Sequence, residues 1–488
     1  MDSLRALTEK IIVSFLPYYA GYWAVVISVA PLAYPAFGPL GVALTLTAAF
    51  FIFEVLFRGL LYVSYGPQYR YAIFTYLLVD HPTYGTTLRK NTITKNLPFR
   101  LFDIFAFPIN SGRIIDLKEN LEKRNVFTIN NLGFRGRTFD PVHKAAKLRI
   151  FCLGGSTTAG HCVCDEETWP VHLESALRER GFDAEVINAG THGWTSYKDY
   201  LRYKNEIVNY HADIILIHEG WNEEFLWSCL SLGKTWKPKL ARNVREEHML
   251  YSPPSRFLSS DRFFSKFLAI QAFRKRFVFK RNMSFQNPKR WQGLMQREYV
   301  RAWVENMLEI AKVAKQNKTL LYTIDYPGLV STDDTPSNRD IYIKGKGLRL
   351  TPLFADYQAT SKARIEEALS LCSAAIPVLR VIEDMSSYIG YERLSLFLDE
   401  IHLSGQGNRL LARAIADRLA GDEAFQARYK GAKESNVDLA PGKANSIMDK
   451  AGINSYAIDR FITKTMDALS GKKAENSSNI PTERYTTF

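Results

Sequence analysis

The sequence predicts an α/β protein with a parallel, doubly wound sheet, preceded by an N-terminal segment that enters a membrane. Two observations carry this prediction. Short apolar runs of strand length alternate with amphipathic helical patterns from about residue 148 to about residue 420. The first sixty residues contain instead a long stretch without a charged side chain. The hydrophobic content of 46% excludes a chain that is disordered throughout.

The uncharged stretch runs from Ile11 to Phe53. It is about twice as long as one membrane-spanning helix requires, and prolines and a glycine interrupt it near its middle. We predict a helical hairpin of two membrane segments, residues 11–33 and 40–62. The stretch is too long for a cleaved signal peptide. A buried hairpin in a soluble domain is one alternative, and a re-entrant or interfacial hairpin is another, because tyrosines and a tryptophan lie in the first segment.

Flanking charges predict the orientation of this hairpin. Arg5 and Lys10 precede it, Arg58 and Arg70 follow it, and the connecting turn has no charge. The positive-inside rule then places both ends in the cytoplasm. The chain has five cysteines, and this odd number fits a reducing compartment better than a disulfide framework.

The chain divides into four predicted regions. Residues 1–65 form the hairpin, and residues 66–125 form a juxtamembrane linker that lies along the membrane or packs beside the next domain. Residues 126–430 form the α/β domain, with a basic insertion at about residues 230–300. Residues 431–488 are a polar extension with one candidate amphipathic helix near residues 456–469.

A serine stands where the first strand of the α/β domain ends and a helix begins. The apolar run from Arg149 to Leu153 is followed by two glycines and then by Ser156. A helix N-terminus aims backbone N–H groups at whatever binds beside it. Ser156 is therefore a candidate nucleophile. A strand-to-helix turn in which Ser156 or Thr157 is only the N-cap is the alternative.

A base and oxyanion donors for this serine are found further along the chain. Asp399 and His402 stand three residues apart in a loop before a helical pattern, close enough for the carboxylate to accept the imidazole N–H. A surface Asp–His pair is the alternative. Two loops that follow apolar strands supply the Gly193 N–H and the Asn222 amide, which with the Ser156 N–H are candidate donors to an oxyanion.

In this order, these residues resemble the sequence blocks of the SGNH (GDSL-type) hydrolase superfamily. The resemblance covers about residues 125–420 and includes a lead-in, Asn130-Asn131-Leu132-Gly133-Phe134-Arg135-Gly136. It implies a flavodoxin-like α/β/α sandwich. It also implies that Ser156 attacks an ester carbonyl, that His402 is general base and then acid, and that Asp399 orients His402. The implied chemistry needs no cofactor and no metal.

The sequence departs from the family pattern at two places. The serine lies in Gly-Gly-Ser-Thr instead of Gly-Asp-Ser-Leu, and Glu223 stands where the third block usually has Asp. Neither departure removes a catalytic group. Many membrane-attached relatives work outside the cytoplasm, so an extracytoplasmic location is the alternative to the cytoplasmic one.

The insertion carries a net charge as large as that of the whole chain, which is +13. From Lys234 to Arg301 there are 17 Lys and Arg against 4 Asp and Glu. Aromatic and cationic residues interleave at residues 263–281, a pattern that suits anionic lipid headgroups. No nucleic-acid-binding signature accompanies the pattern, so we expect membrane lipid as a partner and no nucleic acid. A solvated basic face over a lid helix is the alternative, and the oligomeric state is not indicated.

Three functions are consistent with these residues. The first is a membrane-anchored esterase or O-acyltransferase that acts on acylated carbohydrate or glycolipid through an acyl-serine. The second is a lipase or lysophospholipase that acts on bilayer lipid. The third is a structural or scaffold subunit that keeps the fold without turnover, against which the intact set of Ser156, Asp399 and His402 argues.

Overall fold

The computed structural model describes residues 16–65, 78–98, 124–223, 298–346 and 352–432, apart from positions 82, 145 and 147. It contains two compact units, one with the N-terminal helix and one with all of the strands. The basic insertion, the C-terminal extension and its candidate helix lie outside the described residues.

The N-terminal unit contains helix α1, Leu16–Tyr65, which is broken at Gly38. Gly38 has φ 57° and ψ −145°, a backbone conformation that residues other than glycine rarely adopt. Pro31, Pro35 and Pro39 lie on both sides of it in the chain. A Cβ atom at Gly41 would lie 2.5 Å from the Ala33 carbonyl oxygen, so the chain after the break approaches the chain before it. The predicted pair of membrane segments stays a prediction.

Helix α1 is long and apolar enough to cross a membrane. The part from Val26 to Ser64 has a mean hydropathy of 2.2, although a signal sequence near an N-terminus has the same properties. Its only two charged side chains, Glu54 and Arg58, form an ion pair of 2.7 Å one helical turn apart, and both are 1% exposed. The charges thus neutralise each other inside an apolar helix.

Four short strands precede the main sheet and form two antiparallel pairs. Strand β1, Leu78–His81, pairs with β2, Gly85–Leu88, and β3, Thr92–Pro98, pairs with β4, Arg124–Ile129. The Tyr84 hydroxyl donates to Glu206 at 3.4 Å, and the Tyr84 ring packs against Trp194. The part of the predicted linker around Tyr84 therefore packs against the α/β domain.

The main sheet has five parallel strands in the order β6-β5-β7-β8-β9. The strands are β5 Leu148–Gly154, β6 Ala184–Asn188, β7 Ile214–His218, β8 Leu320–Ile324 and β9 Val378–Leu379. Every residue of β5, β6 and β7 is buried. The strand order is that of flavodoxin-like sheets, and the predicted α/β fold is confirmed.

Helices cover the sheet in two groups. The remaining helices are α2 Ser156–Ala159, α3 Trp169–Glu179, α4 Ser196–Asn205, α5 Glu298–Gln316, α6 Pro336–Lys346, α7 Pro352–Cys372, α8 Ile382–Ser386, α9 Gly390–Ser395, α10 Gly405–Gly421 and α11 Glu423–Ala432. Helix α3 packs on α10, whereas α5 packs on both α4 and α7. The right-handed crossover from β5 to β6 runs across the sheet in the opposite direction from those that lead from β6 to β7 and from β7 to β8, so the two groups lie on opposite faces of the sheet.

The last strand is shorter than the sequence indicates. The apolar run at residues 378–382 predicts a strand over its whole length, but β9 ends at Leu379 and α8 begins at Ile382. The Asp325 carboxylate accepts the N–H groups of Val381 at 2.7 Å and Ile382 at 3.1 Å. These two N–H groups donate to a side chain and not to a neighbouring strand, so the strand ends before them.

Candidate active site

Three of the predicted site residues lie at the carboxyl ends of three neighbouring strands of the sheet. Ser156 follows β5, Gly193 follows β6 and Asn222 follows β7. The connections on the two sides of the β5–β7 pair cross the sheet in opposite directions, and in open α/β sheets the crevice at such a switch point is where ligands bind.

The serine loop is built from glycines because other segments approach it closely. Gly154 has φ +149°, and a Cβ atom there would lie 2.3 Å from Thr158 Oγ1 and 2.5 Å from the His218 carbonyl oxygen. A Cβ atom at Gly155 would lie 2.3 Å from Asn222 Nδ2. Any side chain at these positions would push the loop away from β7. The Gly-Gly pair therefore fixes Ser156 at the start of helix α2.

The structure joins Ser156, His402 and Asp399 in one hydrogen-bonded chain. His402 Nε2 lies 2.7 Å from Ser156 Oγ, and His402 Nδ1 lies 2.7 Å from Asp399 Oδ2. Asp399 Oδ1 accepts the backbone N–H groups of Ile401 at 2.8 Å and His402 at 2.7 Å. All three side chains are buried. The local turn thus fixes the Asp399 carboxylate against the His402 ring.

The three candidate oxyanion donors belong to segments that are bonded to one another. The Thr191 N–H donates to the Gly154 carbonyl at 2.9 Å, which holds the Gly193 turn beside the serine loop. Asn222 Nδ2 donates one proton to the Trp194 carbonyl at 2.6 Å and keeps a second N–H. In the parts of the chain that the structure describes, the N–H groups of Ser156 and Gly193 have no hydrogen-bond acceptor.

Arg135, the arginine of the lead-in, holds the loop that follows α2. Its buried guanidinium donates to the carbonyl oxygens of Ala159 and Gly160, to that of Val163 at 2.6 Å, and to Asp165 Oδ1 at 3.0 Å. The sequence places this arginine in a block but gives it no role. Its acceptors lie in a loop about 25 residues further along the chain, and no local sequence pattern predicts these contacts.

Two further histidines lie beside His402. The His161 ring centroid is 4.7 Å from that of His402 and 5.4 Å from that of His192. Burial, together with the charges of Arg135 and His402, lowers the pKa of His192 to about 3. His192 is therefore neutral at physiological pH and adds no positive charge to the site. No spacing in the sequence points to this cluster.

Three buried carboxyl groups lie behind the serine loop. Glu219 Oε1 would be 3.4 Å from a Cβ atom at Gly155, and Glu223 accepts the Ser196 N–H. Burial, followed by the charge of Glu223, raises the pKa values of both Asp199 and Glu219. Among the described residues, no group of three or more His, Cys, Asp or Glu side chains is placed to hold a metal.

We expect Asp199→Asn to flatten the pH dependence of stability. The raised pKa keeps a proton on native Asp199 that the unfolded chain releases above about pH 4, since its ordinary pKa is 3.8. The native state then binds more protons than the unfolded state, so wild-type stability falls as pH rises from about 4 through the raised pKa. Thermal unfolding of the detergent-solubilised full chain between pH 4 and pH 9 measures this fall.

The matched control is Glu392→Gln, which removes an exposed carboxyl group on α9. We expect this control to keep the wild-type slope of melting temperature against pH. A wild-type slope in Asp199→Asn would contradict the assignment of the extra proton to Asp199.

A small apolar pocket adjoins the site. Its cavity volume is about 10 Å³, which is room for about one water molecule. Its lining residues are Trp221, Tyr326, Gly328, Val330, Lys362, Ile365 and Ile401. Lys362 is the only charged residue among them.

One curated protein and several solved structures are similar to this chain. An arylesterase of Vibrio mimicus is 33% identical over 78 residues, which is 16% of this chain and 39% of that protein. As predicted, the chain is similar to proteins that are named as GDSL-type lipolytic proteins. The chain thus spans about two fifths of the curated relative that it matches, and no family model matches it.

Three solved structures are among those similar to this chain. A lipase/acylhydrolase from Enterococcus faecalis is 18% identical, with a TM-score of 0.31 over 56% of this chain and 96% of its own. A GDSL-like lipase from Bacteroides thetaiotaomicron is 15% identical, with a TM-score of 0.28 over 58% and 89%. The acetylxylan esterase Axe2 from Geobacillus stearothermophilus is 11% identical, with a TM-score of 0.31 over 58% and 98%.

Proposed function

We propose that this protein is a serine ester hydrolase that works through an acyl-enzyme on Ser156. The observation that carries the proposal is the pair of 2.7 Å contacts that join Ser156 Oγ to His402 and His402 to Asp399. A histidine in contact with both a hydroxyl and a buried carboxylate is arranged to take a proton from that hydroxyl.

In the first half of the reaction, His402 Nε2 removes the Ser156 proton while Oγ forms a bond to the ester carbonyl carbon. The carbonyl oxygen becomes an oxyanion, which the N–H groups of Ser156, Gly193 and Asn222 stabilise. Donors of this kind each contribute about 3 kcal/mol to transition-state binding. His402 then gives the proton to the leaving alcohol as the old ester bond breaks, and the acyl group stays on Ser156.

In the second half, water attacks the acyl-serine and His402 again acts first as base and then as acid. Asp399 keeps the His402 ring oriented and stabilises its positive charge in both halves. A sugar or lipid hydroxyl in the place of water would make the same site an O-acyltransferase.

We propose an ester of carbohydrate or glycolipid with a short acyl group as the natural substrate, since the pocket next to the site has no room for a long acyl chain. We further propose that the N-terminal segment anchors the enzyme in a membrane and that the basic insertion faces anionic headgroups. The cytoplasmic side is the side that the flanking charges favour. A lipase acting on long acyl chains is the second candidate, which the apolar helix α1 supports by placing the site near lipid.

Ester hydrolysis by the detergent-solubilised full chain tests the proposal. We expect p-nitrophenyl acetate to be cleaved with a kcat/KM at least about tenfold above that for p-nitrophenyl palmitate. A preference for palmitate would favour the lipase. The absence of turnover of both esters in well-folded protein that also fails to react with a fluorophosphonate would favour the scaffold subunit. Transfer of acetyl to an added sugar would identify a transferase.

A further inference from the structure

The loop that follows helix α2 places a second histidine against His402. Gly160 has a left-handed conformation with φ 76°, and the next residue, His161, donates its backbone N–H to the Ser156 carbonyl at 3.0 Å. The His161 side chain packs on the His402 ring, with 4.7 Å between the ring centroids and 48° between the ring planes. His161 therefore contacts the backbone of the proposed nucleophile and the side chain of the proposed base.

The backbone on both sides of His161 is bound to the Arg135 guanidinium. Arg135 donates to the carbonyl oxygens of Ala159 and Gly160 before this histidine, and to that of Val163, at 2.6 Å, after it. His161 is also buried, since only 7% of it is exposed. The loop thus holds the His161 side chain in the interior beside His402.

His161 also contacts the turn that carries an oxyanion donor. The ring centroid of His192 lies 5.4 Å from that of His161, with 76° between the ring planes. His192 directly precedes Gly193, whose N–H is one of the candidate donors. The His161 ring therefore lies against both the base and the oxyanion turn.

Two hydrogen bonds hold the His402 ring by its edges. Nδ1 lies 2.7 Å from Asp399 Oδ2, and Nε2 lies 2.7 Å from Ser156 Oγ. The alignment of both bonds depends on the plane of the ring, and a packed neighbouring ring limits how far that plane can tilt. The His161 contact is therefore suited to keep the base aligned with the serine hydroxyl.

We propose that His161 is a positioning residue, whose ring fixes the plane of the His402 imidazole and packs against the imidazolium that forms in each half of the reaction. The inference rests on the proposed function and adds one residue to it. A cation within about 6 Å of an aromatic ring is attracted to the π-electrons of that ring, and a neutral imidazole provides such a ring. The role involves no bond between His161 and the substrate.

The titratable and charged groups around His402 come from several elements, so a pH profile has to be assigned to one of them. Among the described residues they are Asp399 and Glu400 of its own loop, Ser156 and His161 of α2 and the loop after it, His192 with Arg135 beside it, and Tyr326 after β8. A substitution at residue 161 leaves all of the other groups in place. A change in the pH profile of such a variant therefore reports on the His161 ring.

The test compares His161→Leu, which removes the ring, with His161→Phe, which keeps one. We expect kcat for p-nitrophenyl acetate to fall about tenfold in His161→Leu with little change in KM, and to stay within about threefold of wild type in His161→Phe. Because the imidazolium loses a stabilising contact, the pKa on the acidic limb of kcat/KM is also expected to fall in His161→Leu only. Kinetics of the detergent-solubilised full chain from pH 5 to pH 9 measures both effects.

Two further variants serve as controls, and thermal unfolding shows whether each variant is folded. His161→Gln is polar and has no aromatic ring, so it is expected to follow His161→Leu and gives a second test of the same point. His143→Leu removes an exposed histidine that pairs with Asp140, and it is expected to keep the wild-type kcat and the wild-type pH profile.

Wild-type kinetics in folded His161→Leu or His161→Gln would overturn the assignment. A fall in kcat without a shift of the acidic pKa would overturn it too, since loss of packing alone explains that result, and so would an equal loss in His161→Phe. If wild type fails to cleave p-nitrophenyl acetate, the proposed function itself is wrong. If wild type cleaves the acetate and the variants match it, only the role of His161 is wrong.

Discussion

Replacement of Ser156 by alanine is expected to lower kcat for p-nitrophenyl acetate by about four orders of magnitude or more. Without Oγ there is no atom to form the acyl-enzyme, and only oxyanion stabilisation and binding remain. The same variant is expected to lose all reaction with a fluorophosphonate, because the probe forms a bond to an activated serine oxygen. Labelling of intact protein followed by mass spectrometry checks both the extent and the position of the reaction.

The matched control is Ser175→Ala, which removes an exposed hydroxyl on α3 that donates to the Val171 carbonyl. We expect it to retain wild-type kcat and full labelling. Persistence of ester hydrolysis in Ser156→Ala at more than a few per cent of the wild-type rate would show that another group is the nucleophile.

Replacement of Asp399 by asparagine is expected to lower kcat by about 10²- to 10⁴-fold with a much smaller change in KM. The carboxylate accepts from His402 Nδ1 at 2.7 Å and also from two backbone N–H groups. An amide of the same shape keeps the loop but does not stabilise the imidazolium, and it favours the wrong tautomer of His402. Steady-state kinetics of the full chain measures the split between kcat and KM.

A second aspartate provides the comparison. Asp340→Asn removes an exposed carboxylate on α6 and is expected to leave kcat unchanged. Wild-type kcat in folded Asp399→Asn would mean that His402 is oriented and charged without Asp399, and the proposed role of this residue would have to be abandoned.

Sequence reasoning located the residues that meet at the strand ends because each stands at a predicted strand-to-loop transition. Ser156, Gly193 and Asn222 follow apolar runs, and parallel strands bring their carboxyl ends to one edge of a sheet. Asp399 and His402 are close in the chain, so their contact is local. The fold class followed from the same alternation of strands and helices.

The groups that sequence reasoning missed depend on tertiary contacts. Arg135 reaches the carbonyl oxygens of a loop about 25 residues away in the chain. The raised pKa of Glu219 results from burial next to Glu223 and Asp199, which come from different elements. Burial of this kind is a property of the packed chain and leaves no periodic signal.

The strands before residue 130 bear on where a soluble fragment of this protein can begin. The sequence boundary at residue 126 would cut β4 and remove β1 to β3, together with the contacts of Tyr84 to Glu206 and of Asn91 to Asn130. Such a truncation would expose Trp194, whose carbonyl oxygen is the acceptor for Asn222. An expression fragment free of the apolar N-terminal helix should therefore start before Leu78, because the edge of the active site is held by residues that precede the hydrolase-like sequence.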